Sequence, residues 1–170
     1  MKKIAISNGL ELRMANFNDK FFIEELFHST REALHKSEQE YDYVHNLIDM
    51  QLVMQTEDYG KKIPDAITFI VEKQRVKVGR VILDFGHNTV HILDLAFIKG
   101  ARGKGYGKSV LQAIQHTAQQ QSLPVTLIVE KQNISARILY KSLGFVLQDE
   151  DTVHDSLIWY PERDKIIVGA

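Results

Sequence analysis

The chain has 170 residues, 44% hydrophobic and 25% charged, a balance that suits one globular domain with a sizeable core and excludes a disordered or fibrous protein. A formal net charge of −1 excludes a bulk electrostatic hold on nucleic acid or on an anionic membrane. The chain has no cysteine, which excludes a disulfide framework, thiolate catalysis and a cysteine–zinc site.

In chain order, the opening MKKIAISNGLEL is too polar at Ser7, Asn8, Gly9 and Glu11 for a signal-peptide core. No apolar run approaches the ~18 residues of a membrane span, so the expectation is a single domain, residues 1–170, in the cytoplasm. LELRMA, Leu10 to Ala15, alternates as a strand does. Asn18 or Asp19 can cap a helix through FFIEELFHSTREAL. A second helix is expected from about Glu40 to Glu57, with Val44, Leu47, Ile48 and Met54 at helical spacing, ended by YGKKIPD. AITFIVEK and KVGRVILDF read as a hairpin around a polar turn, and TVHILDLAFI as a further, mostly apolar strand. A helix from Gly105 to about Gln121 carries Val110, Leu111, Ile114 and Ala118 on one face. PVTLIVE is another buried strand, and NISARILYKSL is a short helix stopped at Gly144, a natural residue just past a helix end. FVLQDE and SLIWY close as an antiparallel pair. This order predicts an α+β fold with about seven strands in a mixed, mostly antiparallel sheet and about four helices.

The chemistry concentrates in ARGKGYGKS, Ala101 to Ser109, between an apolar strand and a helix. A nucleotide P-loop would need its first glycine where Arg102 stands, and a dinucleotide fingerprint would need a third glycine where Lys108 stands. Arg-x-x-Gly-x-Gly does fit, with Arg102, Gly105 and Gly107 in register. Successive backbone N–H groups at a helix N-terminus make an anion nest, reinforced by the helix dipole. Glycines let the backbone approach a phosphate, and Arg102, Lys104 and Lys108 supply charge.

This loop resembles the pyrophosphate loop of the GNAT superfamily of N-acetyltransferases. ILDLAFI resembles that family's fourth strand, and NISARILYKSLGF its second motif, Asn-x-x-Ala-x-x-Leu-Tyr-x-x-x-Gly-Phe. The likeness spans Thr89 to Phe145, as a loop motif over residues 89–121 and a second motif over 124–145. It implies a GNAT-like domain whose sheet splays between its fourth and fifth strands. Acetyl-CoA would be the co-substrate, with no metal. The donor would be held by main-chain groups of Ala96, Phe97 and Ile98, by the loop Arg102, Gly103, Lys104, Gly105, Tyr106, Gly107 and Lys108, and by Asn133 and Tyr140. The acceptor would be an amine of a small molecule or peptide, and the resemblance leaves a homodimer open.

Acyl transfer to an amine makes three demands: the amine must lose a proton, the thioester oxygen must be stabilised, and the thiolate must be protonated. For the last, the resemblance implies Tyr140, which lies seven residues, about two helical turns, from Asn133 and so on its face. A phenol near pKa ~10 donates to a thiolate whose conjugate acid is near ~8.5 in a mildly uphill step. For the first, two carboxylates compete. Glu130 ends TLIVE, and Asp94 lies two residues from Ala96 on the same strand face. Either is a base, a substrate anchor or a strand acid paired with a lysine. The acceptor pocket is expected under the first two helices, with Glu38, Glu40, Asp42, Glu57 and Asp58 near its mouth and Tyr41, Tyr43, Met50, Met54 and Tyr59 as candidate lining. His28, His35, His45, His87, His116 and His154 read as surface or loop residues, and His91 as a minor candidate for proton relay. With no cysteine and no Gly-x-Ser-x-Gly elbow, direct attack is expected rather than an acyl-enzyme. The alternative is a non-catalytic module that binds an acyl-CoA as a sensor or docks a protein.

Overall fold

A computed structural model describes residues 2–31 and 41–162, the side chains of 41–43 excepted. The elements run β1 (Ile4–Ala5), β2 (Leu10–Met14), α1 (Lys20–Ser29), α2 (Tyr41–Lys62), β3 (Ile67–Lys73), β4 (Val76–Phe85), β5 (Val90–Phe97), α3 (Tyr106–Gln120), β6 (Val125–Glu130), α4 (Ile134–Ser142), β7 (Val146–Glu150) and β8 (His154–Trp159). The strands form one sheet in the order β1-β2-β3-β4-β5-β6-β8-β7. Every pairing is antiparallel except β5 with β6. The α+β expectation holds, with eight strands rather than seven. The extra one, β1, has two residues, both exposed, so it leaves no periodic signal.

The alternation of side chains along the strands divides the sheet's two faces. One face carries Leu12, Val71, Val81, Leu83, Ile92 and Leu127 and packs against Val110, Leu111, Ile114 and Ala118 of α3 in the main core. Each fully buried aliphatic side chain there contributes roughly 1.5–3 kcal/mol. The opposite face carries Ile70, Arg80 and Ile82, all buried. Over it lie α1 and α2, joined to each other through Phe27, Val44, Ile48 and Leu52.

An ion-pair network sets the start of α1. Arg13 of β2 donates from Nη1 and Nη2 to the two carboxylate oxygens of Asp19, each at 2.8 Å, and from Nε to Glu72 at 3.2 Å. Lys77 reaches Asp19 at 2.7 Å. Asp19 is fully buried and also accepts from the Asn16 backbone N–H, closing a capping box one turn before α1. The Arg13 guanidinium holds the Asp19 carboxyl well below the usual carboxylate range.

The second helix runs past the expected break, with Tyr59, Gly60, Lys61 and Lys62 still helical. Lys62 pairs with Asp58 at 3.0 Å across one turn, and two lysines at the C-terminal end suit the helix dipole. The β3–β4 hairpin turns on Gln74 and Arg75 alone, both at positive φ, as a two-residue primed turn demands. At the end of α4, Phe145 N–H bonds the Tyr140 carbonyl and Gly144 N–H that of Lys141, each at 3.1 Å, with Gly144 at φ +90°. This Schellman closure is the stop expected at Gly144. Among the described residues no helix is long and apolar enough to cross a membrane.

Candidate active site

The parallel strands β5 and β6 pair only from Val90 to Ile92 against Val125 to Leu127. Just beyond, the register of β5 against β4 shifts so that Leu93 is an extra residue, a bulge that bends the strand. The strands then part. Strand geometry also decides which main-chain groups face the opening. The Ile98 N–H is committed to Val78 of β4 at 2.9 Å, and by alternation Ala96 also directs its N–H and C=O towards β4. The groups that open onto the splay are those of Leu95 and the N–H of Phe97, whose carbonyl accepts from Arg102. Of the three residues expected there, Ala96 instead contributes its small side chain to the cavity walls.

The glycine-rich loop enters α3 through left-handed backbone, with Gly103 at φ +74° and Gly105 at φ +79°. A side chain at either position would be strained. Gly105 is the N-cap and offers no side-chain cap, and the first backbone bond of the helix is Ser109 N–H to the Gly105 carbonyl at 3.1 Å. Among the described residues no side chain or loop carbonyl takes the amides from Gly103 to Lys108. Arg102 turns back, its Nε donating to the Phe97 carbonyl at 3.0 Å, while Lys104 and Lys108 stay exposed. Gly107 is helical, and a Cβ there would meet Leu139 and Phe97 at 3.6 and 3.7 Å, an ordinary contact. Asn8, from the turn after β1, donates to the Lys104 carbonyl at 3.2 Å and so props the loop from outside.

Two cavities meet at the splay. One, about 620 Å³, runs from the loop past Phe97, Tyr106 and Leu139. The other, about 470 Å³, lies under α1 and is lined by Phe27, Arg31, Gln55, Arg80, Asp94 and Glu130. Thr30, Leu95, Ala96, Asn133 and Tyr140 border both. Asn133 caps α4, accepting from the Ala136 N–H at 3.3 Å. The Tyr140 ring stands edge-on to Phe145 at 5.8 Å, and burial, aided by the charge of Asp94, pushes its phenol above the usual range. It stays protonated at neutral pH.

The two carboxylates differ. Asp94 is held by buried Arg80, whose Nε and Nη2 both converge on Oδ2 at 2.9 and 2.8 Å. Among the described residues nothing donates to its Oδ1, and the carboxylate is 29% exposed. Glu130 is exposed at the end of β6, shares its strand face with Ile128, and has no described partner. Gln55 reaches Arg80 from α2 at 3.4 Å. Of the acids expected at the mouth, the two described ones, Glu57 and Asp58, do not line this cavity. Glu57 and Asp58 are exposed on α2, Met50 and Met54 are 61% and 65% exposed, and the inward face of that helix presents Gln55 instead. Glu38, Glu40 and His35, and the side chains of Tyr41, Asp42 and Tyr43, lie outside the described residues. Tyr59 is near enough for Asp94 to act on it, and burial raises its phenol.

The described histidines do not line either cavity. His91 pairs with Thr126 across β5 and β6 at 2.7 Å, and burial pushes its imidazole down. His28 and His45 lie on helices rather than in loops, their rings stacked at 4.2 Å beside Asp49, a grouping made by two separate elements. Arg80, Gln55, Thr30, Arg31 and Asn8 were not legible as site residues. Arg80 had one signal, a charge within an otherwise apolar strand.

No curated protein matches the chain in sequence. Among solved structures, the fold is similar to a PaiA N-acetyltransferase from Thermoplasma acidophilum in complex with coenzyme A, at 17% identity and TM-score 0.67, covering 89% of this chain and 98% of that one. It is similar also to a spermidine N-acetyltransferase SpeG chimera from Vibrio cholerae, at 21% identity and TM-score 0.63, covering 90% and 96%. A third is an acetyltransferase from Salmonella typhimurium that modifies the N-terminal serine of a ribosomal subunit protein, at 14% identity and TM-score 0.64, covering 96% and 100%. At these identities the likeness is one of fold. The model of the acetyltransferase (GNAT) family matches residues 23–145, most of the chain and both halves of the site, and the protein belongs to that family.

Proposed function

We propose that the protein is an acetyl-CoA-dependent N-acetyltransferase of the cytoplasm that acetylates a primary amine of a small molecule or peptide by direct attack. The observation that carries this reading is the meeting of two cavities at Tyr140, one leading to a helix N-terminus with open amides and the other to two carboxylates. The donor set fits coenzyme A: an anion nest for its pyrophosphate, two lysines for its charge, and a slot between parted strands for its arm. Acetyl-CoA supplies an activated thioester. The remaining work belongs to the chain's own residues.

The loop amides from Gly103 to Lys108 bind and orient the pyrophosphate, and the main-chain groups of Leu95 and Phe97 align the arm with the splay. An alkylamine near pKa ~10.4 is only about 0.04% neutral at pH 7, a burden of ~4–5 kcal/mol without a base. Asp94 Oδ1 and Glu130 are the acceptors for that proton, directly or through water. Tyr140 holds the proton that the departing sulfur takes up. Thiol release measured with polyamines, amino acids, aminoglycosides and peptides tests the reading: turnover of at least one amine class is expected. Failure to bind acetyl-CoA, or tight binding with no turnover of any amine, contradicts it.

A further inference from the structure

The acceptor cavity holds a cation that no described carboxylate pairs with directly. Arg31, just past the end of α1, lays its guanidinium on the Phe27 ring at 3.4 Å. Its Nε donates to Gln51 at 3.2 Å, and its Nη1 to the Thr30 hydroxyl at 2.8 Å and the Phe27 carbonyl at 3.3 Å. Stacking and three hydrogen bonds thus fix the plane of the group on one side. Among the described residues nothing accepts from Nη2, and the side chain lines the acceptor cavity. Burial pulls its pKa down, while Asp94 and Glu130 act on it by charge alone. A half-buried guanidinium held flat, with an edge left over, is built to take a planar oxyanion.

The charges around the cavity sharpen this. Among the described residues Arg31 and Arg80 face Asp94 and Glu130, so the charges of the described walls sum to zero. Arg80 already occupies one oxygen of Asp94. A dication such as a polyamine would bring two positive charges to a pocket with two fixed cations. A molecule carrying both an ammonium and a carboxylate matches the walls, its amine towards Asp94 and Glu130 and its carboxylate on Arg31.

Resting on the acetyltransferase reading above, we propose that the acceptor is an amine that also bears a carboxylate, an amino acid or a short peptide, and that Arg31 selects it. Arg31 is a specificity residue in this account.

The test compares matched acceptors on the unaltered protein by thiol release: lysine against lysinamide and 1,5-diaminopentane, and alanine against alaninamide. The carboxamides have the less basic amines, so intrinsic reactivity alone favours them. The expected result is a kcat/KM roughly 10- to 100-fold higher for the acids, the size of one charged hydrogen-bonded contact. Arg31→Gln should erase that preference through KM, with acetyl-CoA affinity unchanged, and Arg31→Lys should restore part of it. If carboxamides or diamines are acetylated as well as the acids, or if Arg31→Gln lowers kcat/KM equally for all, the inference falls and the acetyltransferase reading stands. If acetyl-CoA binds and no amine is acetylated, both fall. If Arg31→Gln lowers only the melting temperature, Arg31 is a helix-end cap and the inference is overturned.

Discussion

The donor side and the acceptor side of this molecule are built by different means. On the donor side the backbone carries the site: left-handed glycines at 103 and 105, an uncapped helix, and two strands that part after a bulge. On the acceptor side the walls are side chains from several remote segments, with Thr30 and Arg31 after α1, Gln55 on α2, Arg80 on β4, Asp94 on β5 and Glu130 on β6. A backbone site depends on local conformation and tolerates drift around it. A side-chain site depends on how whole elements are docked, and here one buried carboxylate, Asp19, ties the start of α1 to the sheet.

Asp19→Asn should therefore act most strongly, and on the acceptor side. Removing one partner from a buried ion pair costs about 3–5 kcal/mol, read as a loss of unfolding free energy in denaturant. The folded Asp19 carboxyl sits below its unfolded value, so its stabilisation is complete above about pH 4–5 and is lost as pH falls through the folded pKa. The asparagine variant should show a flatter acid limb. It should still bind acetyl-CoA at temperatures where it is folded.

Tyr140→Phe probes the junction of the two sides. Turnover should fall about 10²-fold, or ~2.7 kcal/mol, with acetyl-CoA affinity little changed. Unaltered turnover would remove the proton-donor role. Gly105→Ala probes the donor side alone. A β-carbon at φ +79° is strained by roughly 1–2 kcal/mol. Acetyl-CoA should bind roughly 10-fold more weakly by calorimetry, while the ratio of rates between acceptors should not move.

The same contrast explains what could be read from the sequence. A backbone site needs particular residues at particular spacings, so the sequence could name Arg102, Gly105, Gly107, Asn133 and Tyr140 as candidates and could place the strands and helices that hold them. An acceptor site made by docking leaves only isolated residues: a glutamine on a polar helix, an arginine after a helix end, an arginine within a strand. Arg31 and Gln55 are 24 positions apart with no periodicity between them. Glu57, Asp58, Met50 and Met54 do not line the cavity because periodicity says that a helix is amphipathic but not how it is rotated onto its neighbour. Main-chain direction in β5 was similarly hidden, since three successive residues cannot all face one neighbour, and only the Ile98 bond to Val78 says which do.

The central claim is that main-chain amides, more than side chains, hold the donor. Titrating acetyl-CoA into the uniformly nitrogen-15-labelled protein and following backbone amide resonances tests it directly. The account predicts that the largest shifts fall on Gly103 to Lys108, with smaller ones at Leu95, Phe97 and Asn133. Saturable binding that leaves the Gly103–Lys108 amides unmoved would contradict it.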